Sequence, residues 1–190
     1  MAVFEGSVRA DADSILARYP EAQRRTALMP LLYLAQSLEG RVTREALREV
    51  GALLAITTAE VEAVASFYTM YRLRPTGMHV VSVCTNLACA LRGAKDVYEA
   101  AHRAAGIAHG AELSEDGEIS LHEEECLGAC ERAPVVTVDF AYHDGVTPEG
   151  VEELISALRR GEPPPPSRGP ALRDFRQASR ILAGLQEEPA

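Results

Sequence analysis

Apolar residues recur at helical spacing up to Pro75 and alternate between strand and helix spacing afterwards. In the first stretch, Tyr19-Pro20 closes a short helix, because proline biases its predecessor away from helical angles. A second helix is expected from Arg25 to Leu38, ending at Gly40, a residue suited to the left-handed position beyond a helix end. Pro30 falls near its start, where a missing N–H is tolerated; an earlier start implies a kink. Thr43 can cap a third helix with Leu47, Val50 and Leu54 on one face. Thr57 and Glu60 have capping-box spacing, and Val61, Val64, Ala65 and Tyr68 then form an apolar stripe. Such stripes read as core. Arg72 to Gly77 is a turn-rich linker.

After the linker, His79 to Val83 is a β-branched run leading into Cys84, and Leu87 to Ala105 is alanine-rich and predicts one helix ending at Gly106. Glu118 to His122 alternates as a strand introduced by the Asp116-Gly117 turn. Pro134 to Val138 predicts another strand, and Tyr142-His143 starts a short partner. Thr147-Pro148 opens a last helix running to Arg160. The order β-α-β-β-α predicts one mixed sheet with helices packed on it. Four prolines at 163–166 then form a stiff spacer, and Arg173 to Leu185 predicts a short helix with Phe175, Ala178, Ile181 and Leu182 on one stripe. A lone helix beyond such a spacer folds back on its own chain or docks on another protein. Docking is the expectation, with Phe175, Ile181 and Leu182 buried on a neighbouring subunit and Arg173, Arg176 and Arg180 at the rim.

Composition narrows the function classes. The chain has 190 residues, 47% hydrophobic and 25% charged, which is globular and large enough for a real core. No apolar run reaches the length of a bilayer span, and the first residues lack a basic stretch followed by an apolar one, so direct membrane insertion and secretion are not expected. Net charge is −9 with a single lysine, Lys95, which argues against nucleic-acid binding. The charge is uneven: residues 1–75 are neutral, 76–162 carry −10 and 163–190 carry +1. The acidity therefore belongs to the segment holding all four cysteines.

Those cysteines fall in two pairs, Cys84-x4-Cys89 and Cys126-x3-Cys130, separated by 36 residues. Four thiolates in short-spaced pairs make a soft tetrahedral or binuclear metal site. Two disulfides, a redox dithiol or unrelated buried thiols are the alternatives. The size of the chain disfavours disulfides, and a dithiol of the thioredoxin type wants Cys-x-x-Cys. Zinc ribbons prefer the same two-residue spacing, so an iron–sulfur centre fits better and a zinc-stabilised interaction module stays as an alternative. Both pairs are expected in loops at sheet ends. Gly128 permits a positive φ that turns a backbone N–H toward sulfur, although it also reads as an ordinary turn glycine. Ala88, Ala90 and Ala129 are small enough to let backbone approach an inorganic core. Glu123, Glu124, Glu125 and Glu131 flank the second pair, as a solvated face or as charges that lower a reduction potential. The histidines His79, His102, His109, His122 and His143 lack paired ligand spacing, and no P-loop, G-x-G-x-x-G or nucleophile-elbow signature occurs.

Pro30-Leu31-Leu32, Ala65-Ser66-Phe67-Tyr68, Val83-Cys84-Thr85-Asn86-Leu87-Ala88-Cys89, Glu125-Cys126-Leu127-Gly128-Ala129-Cys130 and Ala133-Pro134-Val135 follow one another in an order that resembles the small [2Fe–2S] subunit family of respiratory complex I, NADH:quinone oxidoreductase. The resemblance covers about residues 15 to 160. It implies an α+β chain: an N-terminal helical bundle (1–75) followed by a thioredoxin-like [2Fe–2S] ferredoxin domain (76–162); the C-terminal extension with its proline-rich linker and docking helix (163–190) lies outside the resemblance. The resemblance implies one [2Fe–2S] cluster held by Cys84, Cys89, Cys126 and Cys130, with FMN and NADH on a flavoprotein partner subunit. Other peripheral-arm iron–sulfur subunits are implied as neighbours, in the cytoplasm at the face of the inner membrane. The chain is then an electron-transfer subunit of an oxidoreductase, with no complete active site of its own. Related subunits serve NAD-linked formate dehydrogenases and hydrogenases, and a thiol–disulfide enzyme is the remaining alternative from another class.

Overall fold

The computed structural model describes residues 3–169 and 173–185, so residues 170–172 and 186–190 of the expected C-terminal segment lie outside the described ones. The chain divides into two compact units, one made of Met1–Pro75 with Arg176–Ala190 and the other of Thr76–Phe175.

The first unit is helical: α1 (Gly6–Leu16), a 3-10 segment (Glu21–Ala27), α2 (Leu28–Glu39), α3 (Arg44–Leu54) and α4 (Thr58–Phe67). Their apolar stripes meet in one core, with Ile15, Leu31, Leu32, Leu34, Val50 and Val61 fully buried. The α-helix begins at Leu28 rather than Arg25, because a 3-10 segment precedes it. Pro30 then sits in the first turn, where no intrahelical N–H is needed. Gly40 takes the left-handed position at φ 71° and returns its N–H to Gln36. Thr43 Oγ1 accepts the Ala46 N–H at the start of α3, and the Thr57–Glu60 capping box is complete. Tyr68 departs from the expected stripe: α4 ends at Phe67, and Tyr68 is extended and exposed.

The second unit holds β1 (His79–Cys84), α5 (Leu87–Leu91), α6 (Ala94–Ala105), β2 (Ile119–Glu124), a 3-10 turn (Cys130–Arg132), β3 (Val135–Val138), β4 (Ala141–Asp144) and α7 (Pro148–Arg159). The sheet order is β2-β1-β3-β4, with β1 parallel to β2 and the other pairs antiparallel. Alternate residues of the strands, Val81, Val83, Ile119, Leu121, Val136 and Val138, share a core with Val97 and Ala101 of α6 and Ile155 of α7. This is the mixed sheet that the strand-and-helix pattern predicts. The single helix expected over Leu87 to Ala105 is instead two, broken at Gly93, whose φ of 90° an α-helix cannot contain. The break is reinforced by Arg92, whose Nε donates to the Ala133 carbonyl at 2.8 Å.

The C-terminal segment forms α8 (Phe175–Leu182). The expectation that Phe175 is buried on a neighbouring subunit is corrected. Phe175 is 1% exposed within its own chain, its N–H donates to Met78 O, and its ring lies 5.4 Å from that of Phe140 in the second unit. The rest of α8 is engaged in the first unit. Gln36 Nε2 donates to Ser179 Oγ, Arg180 pairs with Asp11 at 2.8 Å, and Arg18 donates to the carbonyls of Ala183 and Gly184. Carbonyls left open at a helix end need such donors, and a helix this short is marginal without them. Ile181 and Leu182 remain exposed.

Candidate metal centre

The parallel register of β1 and β2 brings the two cysteine pairs together. Cys84, the last residue of β1, lies opposite Glu124, the last of β2, and Thr85 N–H donates to Glu124 O at 2.9 Å to extend the ladder. Cys126 follows two residues later. Asn86 caps α5 by accepting the Leu87 N–H at 2.6 Å, which sets Cys89 on the first turn of that helix. Cys130 opens the 3-10 turn that feeds, through the cis Ala133–Pro134 peptide, into β3 beside β1. All four loops and termini thus sit at one end of the sheet.

All four cysteines are free thiols; Cys84 and Cys89 are buried, Cys126 and Cys130 exposed. They approach two by two. Burial pushes the Cys89 thiol up to about 11, a hydrogen bond with Cys84 adds to this, a backbone bond at Val135 pulls the other way, and the charges of Cys84 and Cys130 push it further. The charge of Cys126 raises the Cys130 thiol, helped by burial, by a hydrogen bond with Cys126 and by the charge of Cys84. Cys89 and Cys130, both raised by neighbouring cysteines, ionise more readily once a cationic centre is bound. Small side chains, Ala88, Ala94, Ala129 and Ala133, pack around them. Among the described residues, no three or more His, Cys, Asp or Glu side chains converge as a site for a single ion.

The second loop has its own supports. Gly128 has φ 71°, and its N–H donates to Cys126 Sγ at 3.4 Å, the orientation that the sequence allowed. Tyr142 Oη donates to the Leu127 carbonyl at 2.8 Å. Tyr142 was legible only as the start of a strand, and no sequence signal marks it for this loop. Arg92, which fixes Ala133, was likewise hidden inside a helix expected to be continuous. His79 bonds Asp139 at the other end of β1, and His122 faces Glu112 at 3.8 Å. Glu123, Glu125 and Glu131 are exposed beside the loop, and Glu124 is half-buried.

Residues 12–159 match the family described as thioredoxin-like [2Fe-2S] ferredoxin. The chain belongs to that family. Its ferredoxin domain accordingly has the thioredoxin-like α+β fold and the [2Fe–2S] cofactor class, rather than a zinc or dithiol site. Over 178 residues the chain is 47% identical to the NADH-quinone oxidoreductase E subunit of Mycobacterium tuberculosis strain H37Rv, covering 94% of this chain and 69% of that protein. It is 40% identical over 151 residues to NADH-quinone oxidoreductase subunit 2 of Thermus thermophilus, covering 79% of this chain and 83% of the relative. Among solved structures, an NAD+-reducing [NiFe]-hydrogenase in the air-oxidized state superposes with a TM-score of 0.60 at 18% identity, over 70% of this chain and 23% of the other. At that identity the likeness is one of fold.

Proposed function

We propose that this chain is the small electron-transfer subunit of an NADH:quinone oxidoreductase and holds one [2Fe–2S] cluster through Cys84, Cys89, Cys126 and Cys130. The observation that carries the reading is the gathering of four free thiols at one end of the sheet, in a chain 47% identical to a component of NADH-quinone oxidoreductase. In this reading Cys84 and Cys89 serve one iron and Cys126 and Cys130 the other. Bound there, the cluster supplies one-electron acceptance and donation. The chain's own residues bury one thiol pair, leave the other at the surface and aim the Gly128 N–H at Cys126 Sγ. The exposed Leu87 and Leu91 of α5 flank Cys89 in sequence.

NADH oxidation at FMN belongs to a flavoprotein partner, and other iron–sulfur subunits of the peripheral arm are further neighbours. No single helix among the described residues is long and apolar enough to cross a membrane. The reading makes the chain a cytoplasmic subunit peripheral to the inner membrane. Residues 76–162 carry the cluster, residues 1–75 form a supporting bundle, and the 163–190 extension keeps Ile181 and Leu182 for a neighbouring subunit.

Anaerobic reconstitution followed by iron and sulfide analysis and reduced-state EPR tests the ligands. Two irons and two sulfides per chain are expected, with assembly lost in each Cys→Ala variant; full iron and an unchanged EPR signal in any one variant removes that cysteine. Purification of the native complex tests the parent. Co-purification with a formate dehydrogenase or a hydrogenase in place of quinone-reducing subunits supports the alternative.

A further inference from the structure

The Leu127 carbonyl and the Gly128 N–H are the two ends of a single peptide group. The first accepts from Tyr142 Oη at 2.8 Å, and the second donates to Cys126 Sγ at 3.4 Å. A phenol is therefore joined to a cysteine sulfur through one peptide plane. A peptide whose oxygen accepts a hydrogen bond is polarised and donates more strongly from its nitrogen.

The phenol is held in turn by the segment beyond the tetraproline, which lies outside the matched residues 12–159. Ser167 N–H donates to Tyr142 O at 2.7 Å, Asp144 N–H donates to Ser167 Oγ at 2.8 Å, and Arg168 bridges to Tyr142 in antiparallel fashion along the edge strand β4. This places the Arg168 guanidinium 4.4 Å from the centroid of the Tyr142 ring. Its nitrogens also reach Asp144 at 3.0 Å and Glu131, the neighbour of Cys130, at 3.7 Å. A cation over the ring fixes its plane and makes its hydroxyl a better donor.

We infer that Arg168 and Tyr142 are positioning residues for the metal centre: through the Leu127–Gly128 peptide they strengthen the hydrogen bond to Cys126 Sγ and raise the reduction potential of the cluster. The physical basis is that reduction adds negative charge to the thiolates, so a stronger N–H···S bond favours the reduced state. The C-terminal extension is in this way part of the redox site. The inference rests on the four-cysteine [2Fe–2S] reading.

The test is a redox titration of the reconstituted full-length chain at low salt, comparing Tyr142→Phe, Arg168→Gln, Arg168→Lys and the Tyr142→Phe/Arg168→Gln double variant. The phenylalanine and glutamine variants are each expected to lower the equilibrium constant for one-electron reduction roughly three- to tenfold, about 28 to 59 mV. Lysine keeps the charge and loses the planar stack, so its shift falls between wild type and glutamine. The double variant is expected to move less than the sum of the two, because Arg168 acts through Tyr142. Shifts that simply add mean that Arg168 acts through space and overturn the relay, as does an unchanged potential in the loaded Tyr142→Phe variant. Should that variant load poorly, amide exchange at Gly128 in the full chain carries the same test, with faster exchange expected and an unchanged rate overturning the inference. A wild-type chain that takes up no cluster overturns instead the reading of the cysteines on which this rests.

Discussion

The end of the sheet farthest from the cysteines carries a buried acid that sets a pH dependence. Asp139 lies in the β3–β4 turn with φ 49°, followed by Phe140 at φ 69°, a left-handed pair that reverses the chain. Its Oδ1 accepts the Val80 N–H at 2.8 Å and its Oδ2 meets His79 Nδ1 at 2.6 Å, with the Asp139 side chain fully buried. Burial pushes the Asp139 carboxyl up to about 6, against the pull of His79 and the Val80 N–H and helped by Asp174. Burial alone would lower His79, but the hydrogen bond and charge of Asp139, with Asp174 and Glu118, carry it above its ordinary range. Both groups hold protons more tightly when folded. The Asp139 contribution is full below its ordinary value of 3.8 and is lost as pH rises toward about 6. That of His79 is full below 6.5 and is lost as pH passes its raised folded value. The joint Asp139–His79 contribution therefore falls from about pH 4 through neutrality. At 1.36 kcal/mol per tenfold in proton affinity, the Asp139 part is at most roughly 3 kcal/mol. Asp139→Asn removes it while keeping an oxygen for Val80 N–H. The stability of the variant relative to wild type should rise by up to roughly 3 kcal/mol between pH 4 and 8. Exchange of the Val81 and Val83 amides, corrected for intrinsic rates, measures the sheet without interference from the helical unit. A difference that stays flat across that range refutes the reasoning.

Other perturbations probe separate parts of the molecule. Converting the exposed Glu123 and Glu125 to Gln should raise the cluster's potential at low ionic strength, with the shift shrinking as salt is added; a redox titration at two salt concentrations checks it. Thr57→Ala removes the capping box of α4 and should cost about 0.5–2 kcal/mol in the urea-induced unfolding of the helical unit. Phe175→Ala deletes a side chain that is 1% exposed and should cost about 3–5 kcal/mol, read as lost protection of the Phe140 turn in amide exchange, with the iron content unchanged.

The strands, the caps at Thr43, Thr57 and Thr147, and the stop at Gly40 were legible because each rests on local chemistry. The cysteine pairs were legible because their spacing is itself the signal. What was not legible depends on distant partners. Gly93 breaks a helix whose composition favours continuation, and the competing interaction is Arg92 reaching Ala133 across 41 residues. Phe175 looked like a residue in search of a partner protein, because nothing near it in sequence says that Phe140 and the Met78 carbonyl are waiting. Tyr142 and Arg168 join the site only through tertiary placement, on an edge strand and on the segment that pairs with it.

The parallel pairing of β1 with β2 also makes the site insensitive to how much chain runs between them. The thiol pairs are spaced by a ladder that matches Cys84 with Glu124, whatever the route from Cys89 to Ile119. That route includes turns at Gly106, Gly110 and Gly117, all with positive φ. Doubling the length of such a loop costs only about 0.6 kcal/mol. A one-residue deletion inside β2 would instead put one side of the strand on the wrong face, either turning Ile119 and Leu121 out of the core or displacing Cys126. Insertions are thus tolerable in the turns between α6 and β2 and forbidden in the strands, so new surface can be added to this unit without disturbing its thiols.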